Sequence, residues 1–306
     1  MQIRFDDRVV VVTGAGGGLG RAYALLLASR GARVVVNDLG VAMDGGGPSS
    51  AAARRVADEI AAAGGQAVAN ADDVSDVDGA RHLIAQALDT FGTVDALVCN
   101  AGILRDRSFL NQTPEDFELV LRVHLFGTVN TARAAFATMR ERRYGRIVVT
   151  TSVAGLYGNF GQTNYSAAKL AIVGFMNSLK LEGARYGILV NAIAPLAFTR
   201  MGATVFPASL ATTLRPDLVA PAVAYLCSEQ CSQSGDIIAA GAGSYTRVQL
   251  VESKGVQFDP SDHVTPEMIA EHYSDIADMT GAAAFSSAKE SFSVAGARTS
   301  READNV

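Results

Sequence analysis

Hydrophobic residues fall along this chain in short unbroken runs, separated by longer stretches with helical spacing. Residues 9–13 form a continuous, mostly β-branched run, the pattern of a strand buried on both faces. Glycines follow, then an Ala/Leu-rich helical stretch over 19–29 that closes at Gly31. A second apolar run over 33–36 stops at Asn37-Asp38. The alternation continues with a helix over 51–63, a strand over 66–70, a helix over 76–91 and a strand over 96–100. Helices over 114–125 and 127–140 precede a strand over 145–152, and a helix over 164–185 leads to a strand over 189–193. A helix over 216–228 and a strand over 237–240 close the series. Parallel strands need crossovers, so seven strands alternating with helices predict an α/β fold, a doubly wound, seven-stranded parallel sheet of Rossmann type. From about Thr246 the rhythm breaks; 266–279 reads as helix, with Thr265 as N-cap and Glu267 in its first turn. One domain over 1–245 is expected, with a helical extension over 246–306 packed on it.

Composition narrows the class without changing this picture. The chain has 306 residues, 49% hydrophobic and 19% charged, as compact globular chains do. A formal net charge of −5 with no Lys/Arg cluster argues against nucleic-acid binding. No apolar run reaches membrane-spanning length, and the polar start runs directly into a strand, unlike a signal peptide. Cys99, Cys227 and Cys231 have no metal-ligand spacing, so no metal is expected and a reduced, cytoplasmic setting is.

The segment Thr13-Gly14-Ala15-Gly16-Gly17-Gly18-Leu19-Gly20 lies where the first strand meets the first helix, and an acid ends the next strand. That context marks a dinucleotide site. Gly14 allows the tight turn, Gly18 backbone approach to a pyrophosphate, and Gly20 close helix–strand packing; the helix N-terminus offers free N–H groups to phosphate. Asp38 is placed to accept both ribose hydroxyls and would repel a 2′-phosphate, so NAD is expected rather than NADP. Asp72 or Asp73 is a candidate acceptor for the adenine amino group, or a helix cap.

Taken with Asn100-Ala101-Gly102 and with Ser152 followed by Tyr165-x-x-x-Lys169, this loop resembles the short-chain dehydrogenase/reductase family over about 6–243, with the motifs in family order. Four residues apart on one helix, Tyr165 and Lys169 share a face, and an ammonium there is expected to lower the phenol's pKa toward working pH. Ser152, ending a strand, would hold the substrate oxygen while Tyr165 moves its proton. The resemblance also implies cofactor contacts from Leu19, Asn100, Ala101, Gly102, Pro195 and Phe198, with Tyr165 and Lys169. His124 stands where most members carry Asn; it is either a fourth member of a proton relay or a hydrogen-bonded core residue.

Further segments, 36–40, 102–109, 122–125 and 157–162, resemble one branch of the family, the (3R)-hydroxyacyl-CoA dehydrogenase domains of peroxisomal multifunctional enzymes and their bacterial relatives. That resemblance implies NAD-dependent oxidation of a fatty or steroidal 3-hydroxyacyl-CoA and a homo-oligomer, dimer or tetramer, formed through the helices over 114–140 and 164–185. Phe198, Met201, Val205, Phe206 and Leu210 are candidates to cover the acyl chain, and Arg105 and Arg107 to meet CoA phosphates. The alternatives are a hydroxysteroid or other secondary-alcohol dehydrogenase, a 3-oxoacyl-thioester reductase, and a non-catalytic nucleotide sensor; the last is disfavoured by intact Ser152, Tyr165 and Lys169.

Overall fold

A computed structural model describes residues 2–40, 49–199, 207–259 and 261–292. The chain divides into two compact units, 1–247 and 248–306. The first opens with β1 (Val9–Val12), α1 (Gly18–Ser29), β2 (Arg33–Asn37), α2 (Ala51–Ala62), β3 (Gln66–Asn70), α3 (Val77–Phe91) and β4 (Ala96–Cys99). It continues with α4 (Pro114–Leu121), α5 (Gly127–Arg142), β5 (Gly145–Thr150), α6 (Val153–Tyr157), α7 (Thr163–Gly183), β6 (Ile188–Pro195), α8 (Ala220–Cys227), β7 (Ile237–Gly241) and β8 (Ser244–Val248). The sheet order is β3-β2-β1-β4-β5-β6-β7-β8, and the pairings from β3 through β7 are parallel.

The central strands are apolar on both faces because both faces are covered. All four residues of β1 and all four of β4 are buried. Tyr23 and Leu27 of α1, Val56 and Ile60 of α2 and Val223 of α8 join one core cluster with Val34 and Val36. The strand order reverses between β1 and β4, which opens a crevice at their C-terminal ends.

Among the described residues the sheet has eight strands, not the expected seven. Ala242 (φ 51°) and Gly243 (φ 78°) link β7 to β8, and two successive left-handed residues are what a two-residue hairpin turn needs. Ala-Gly is a weak turn signal beside Asn-Gly, and Ser244–Val248 has no buried residue, so the hydrophobic pattern could not reveal β8. Nor are the helices over 114–125 and 127–140 separate: a π-helical turn, Arg122–Phe126, joins α4 to α5 without a break.

In the second unit the helix expected over 266–279 is two short ones, α9 (Pro266–Glu271) and α10 (Tyr273–Ala277). His272, at φ −94° and ψ 9°, interrupts the helical backbone between them. Thr265 does cap α9, accepting from the N–H of Met268. An antiparallel bridge between Glu252 and Ala283 and a hydrogen bond from Ser253 Oγ to the Ile276 carbonyl (2.6 Å) hold this unit together.

Candidate active site

On the β1 side of the crevice the site is built by what the side chains leave out. Gly14 has φ 63°, and a Cβ there would lie 2.8 Å from Ala101 Cα. A Cβ on Gly20 would lie 2.3 Å from the Gly14 carbonyl oxygen. Thr13 Oγ1 accepts from the N–H groups of Asn100 (3.0 Å) and Ala101 (3.1 Å), while Asn100 Nδ2 donates to the carbonyls of Thr13 (3.0 Å) and Gly14 (3.1 Å). The ends of β1 and β4 are thereby fastened together, and Asn100, expected among the cofactor contacts, has its amide turned to the glycine turn. Among the described residues no side chain caps α1, whose N-cap is Gly17, and a Cβ on Gly17 would meet none of them within 4 Å. Open space before an uncapped helix N-terminus suits a pyrophosphate.

Asp38 is fixed at the mouth of this turn. Its Oδ2 accepts from the Gly16 N–H and its Oδ1 from the Gly40 N–H, both at 2.8 Å; each oxygen keeps a lone pair for a further donor. Asp72 Oδ2 accepts from Asn70 Nδ2 at 2.7 Å, and Asp73 Oδ1 from the Ser75 N–H at 2.8 Å. The cap of α3 is neither of them but Asp76, which accepts from the Gly79 N–H.

The β5 side is built from side chains. Ser152 follows β5 and caps α6, a short helix the sequence pattern did not reveal, its Oγ accepting from the Ala154 N–H at 3.1 Å. Tyr165 and Lys169 lie one turn apart on α7, with Lys169 Nζ 5.6 Å from the Tyr165 ring centroid. Lys169 is buried; its Nζ donates to the Thr150 carbonyl at 2.7 Å, and Thr151 Oγ1 donates to the Lys169 carbonyl at 2.7 Å. Gly155 makes room for it, since a Cβ there would fall 2.6 Å from Lys169 Cβ.

The expected lowering of the phenol by the ammonium does not emerge from the protein groups. Burial raises the Tyr165 pKa above its ordinary 10.0; a hydrogen bond with Ser152 opposes the shift and the nearby Asp106 carboxylate reinforces it. Burial also brings Lys169 down from 10.5 to about 7. The pocket that hides Lys169 from water thus penalises its own charge, which leaves less of it to favour a phenolate.

His124 sits in the π-helical turn, 2% exposed. Its Nε2 lies 2.7 Å from the Ile103 carbonyl and 3.1 Å from the Ile103 N–H, and its ring meets Tyr165 edge-on at 5.2 Å between centroids. A Cβ on Gly102 would come within 2.2 Å of His124 Cε1, so the glycine of Asn100-Ala101-Gly102 is the floor on which the imidazole rests. Burial holds the His124 pKa well below 6.5, and Lys169 pushes the same way.

A cavity of about 330 Å³ opens between the two sides, lined by Leu19, Leu104, Ser152, Val153, Gln162, Tyr165, Pro195, Leu196 and Thr199 among others. Phe198 is half-buried, its N–H donating to the Leu214 carbonyl at 2.6 Å. Met201, Val205 and Phe206 lie outside the described residues, and Leu210 is half-buried. Among the described residues the aliphatic lining comes from Leu19, Leu104 and Leu196. Arg105 and Arg107 each pair with Asp116, at 3.5 and 3.8 Å. Sequence reasoning missed Gln162, Asp106 and Asn159 as parts of the site. The available signal was that Gln162 precedes Tyr165 by three residues and so lies on its side of the helix start.

Residues 8–208 match the short chain dehydrogenase family. The chain is 52% identical over 277 residues to a short-chain type dehydrogenase/reductase of Mycobacterium tuberculosis, covering 90% of this chain and 96% of that protein. It is 49% identical over 283 residues to the peroxisomal multifunctional enzyme type 2 of Drosophila melanogaster, covering 92% of this chain and 47% of that enzyme. The solved structure of full-length peroxisomal multifunctional enzyme type 2 from the same fly superimposes with a TM-score of 0.82 at 40% identity, covering 98% of this chain and 50% of that one. The chain therefore spans about half the length of the multifunctional relative.

Proposed function

This chain belongs to the short chain dehydrogenase family of oxidoreductases, whose members use a nicotinamide dinucleotide, and from that premise we propose that it oxidises a 3-hydroxyacyl-CoA to the 3-oxoacyl-CoA with NAD. The observation that carries the reading is that Ser152 and Tyr165 line one aliphatic-walled cavity, with the buried Lys169 behind Tyr165. Its likeness to a hydroxyacyl-CoA dehydrogenase of Mycobacterium tuberculosis, 44% identical over 216 residues, supports the choice of substrate. The cofactor reading rests on Asp38, whose carboxylate at the mouth of the glycine turn suits a ribose diol and repels a 2′-phosphate.

In this reading Ser152 Oγ donates to the substrate oxygen and fixes the carbinol against Tyr165. Tyr165 Oη takes the hydroxyl proton in oxidation and returns it in reduction. Bound NAD supplies the hydride acceptor and, when oxidised, a positive ring charge. Lys169 Nζ, tied to the Thr150 carbonyl, stands behind the phenol and supplies positive charge there when protonated. Leu104 and Leu196 exclude water from the acyl side. Because Tyr165 is raised above 10.0, oxidation is expected to quicken as pH rises, whereas the neutral phenol suits the reverse reduction.

Turnover of 3-hydroxyacyl-CoAs of increasing chain length with NAD and with NADP tests the assignment. Activity with NAD on these thioesters is expected; a strong preference for NADP overturns the cofactor, and activity on free steroids alone overturns the substrate. Self-association belongs to the same proposal, since Leu119, Phe126, Leu170 and Leu181 are exposed along α4, the π-helical turn and α7. A monomer in analytical ultracentrifugation at micromolar concentration would refute it.

A further inference from the structure

Gln162 ends the segment before α7 and is 5% exposed, yet it lines the same cavity as Ser152 and Tyr165. Both ends of its amide are held. Nε2 donates to Asp106 Oδ2 at 2.7 Å, and Oε1 accepts from Asn159 Nδ2 at 2.9 Å. An unrestrained glutamine amide flips at little cost, because its two ends have similar shapes. Here a flip would turn Oε1 onto a carboxylate and an N–H onto the Asn159 amide N–H, so one orientation is selected. A carboxylate accepting from an amide is also the stronger kind of hydrogen bond.

The surrounding backbone keeps these partners in register. The Arg107 N–H donates to the Gly161 carbonyl at 2.9 Å, and Asn164 Nδ2 donates to the Arg105 carbonyl at 3.1 Å. With one N–H of Nε2 given to Asp106, the second has no partner among the described residues. A buried donor without a partner is costly, and a ligand acceptor removes the cost.

We propose that Gln162, oriented by Asp106 and Asn159, gives this second N–H to a carbonyl oxygen of the substrate and makes the site selective for β-hydroxy carbonyl compounds over plain secondary alcohols. The proposal rests on the reading that Ser152 and Tyr165 engage the carbinol. A 3-hydroxyacyl thioester carries its carbonyl two carbons from the carbinol, so a second polar contact beside Ser152 and Tyr165 recognises both oxygens of one molecule. The Asp106 carboxylate behind Gln162 makes the subsite suit a neutral carbonyl and oppose a free carboxylate. Gln162 is then a specificity residue, and Asp106 a positioning residue acting through it.

The test measures kcat/KM for 3-hydroxybutyryl-CoA and for 2-butanol in the wild type, Gln162→Met, Asp106→Asn and Asp106→Leu, with circular dichroism as the check on folding. The thioester-to-alcohol ratio is expected to fall roughly ten-fold in Gln162→Met, the scale of one lost hydrogen bond. Asp106→Leu should lower the ratio comparably, and Asp106→Asn, whose amide oxygen still accepts from Nε2, should restore most of it. The wild type should also prefer the thioester to free 3-hydroxybutyrate. An unchanged ratio in Gln162→Met, with both substrates losing equally, overturns the proposal by reducing Gln162 to a packing role. A wild type that prefers 2-butanol overturns it while leaving alcohol oxidation at Tyr165 standing; a wild type that oxidises neither overturns both readings.

Discussion

The two sides of the crevice are made by opposite means. On the β1 side, backbone does the work: Gly14 and Gly20 clear space, Asn100 fastens the turn, and α1 presents an uncapped end. On the β5 side, polar side chains are pressed into an apolar surround: Lys169 at 2% exposure, His124 at 2% and Ser152 at 8%. One side fails when something is added, and the other when something is removed or its charge changes. A cradle for phosphates needs shape and N–H dipoles, whereas proton transfer needs titrating groups whose surroundings shift them.

The sharpest way to break the contrast is removal on the β5 side. Tyr165→Phe should lower kcat by roughly 10²- to 10⁴-fold, the range of a lost general acid–base group, with cofactor affinity largely kept; steady-state turnover and cofactor titration read the two separately. Next comes addition on the β1 side. In Gly20→Val the new side chain meets the Gly14 carbonyl and Asn100 Nδ2, so dinucleotide affinity should fall and stability drop by about 1–3 kcal/mol, as overpacking does. Fluorescence titration and urea unfolding check both.

Gly102→Ala tests where the two sides meet. Its Cβ collides with the His124 ring, so a loss of about 1–3 kcal/mol is expected, and His124→Ala in the same chain should recover much of it. A Gly102→Ala protein as stable as the wild type would mean that the imidazole does not rest on that residue.

A smaller effect sharpens the comparison through pH. Lys169 is depressed from 10.5 to about 7, and between those values the unfolded chain binds the proton more readily, so this residue's burden on stability lightens as pH rises. Below about pH 7 the full burden is present, and near pH 10.5 it is gone. Lys169→Met should therefore gain thermal stability relative to the wild type at pH 7, with the gap closing toward pH 10. A Tm difference flat with pH would contradict the shift. His124, held well below 6.5, should add no titration to the rate between pH 6 and 8; an inflection there that vanishes in His124→Gln would show the reverse.

The same contrast explains what could be read from sequence. The turn over 13–20 announced itself because glycine spacing is a local property, and strand runs such as 9–12 did so because burial on both faces leaves no polar position. Ser152, Tyr165 and Lys169 were legible as residues through their spacing and family likeness, but their titration was not, since it depends on burial by groups distant in the chain. Asp106 and Gln162 meet across 56 positions, and neither has a spacing that pairs it with the other. β8 was hidden because none of its side chains is buried. The two helices expected over 114–140 hid a single one, because the π-helical turn shifts the apolar register and mimics a break.

That turn has a geometric consequence for the whole rod. Each residue of a regular α-helix advances the side-chain direction by about 100°, so the extra residue in Arg122–Phe126 acts as a fixed torsional offset between two otherwise ordinary segments. Upstream, α4 buries Val120; downstream, α5 buries Thr131, Ala135 and Met139. Deleting one residue there would not shorten the rod so much as unscrew it, presenting the wrong stripe of α5 to the sheet. The length of this segment is therefore under as tight a constraint as any side chain in it.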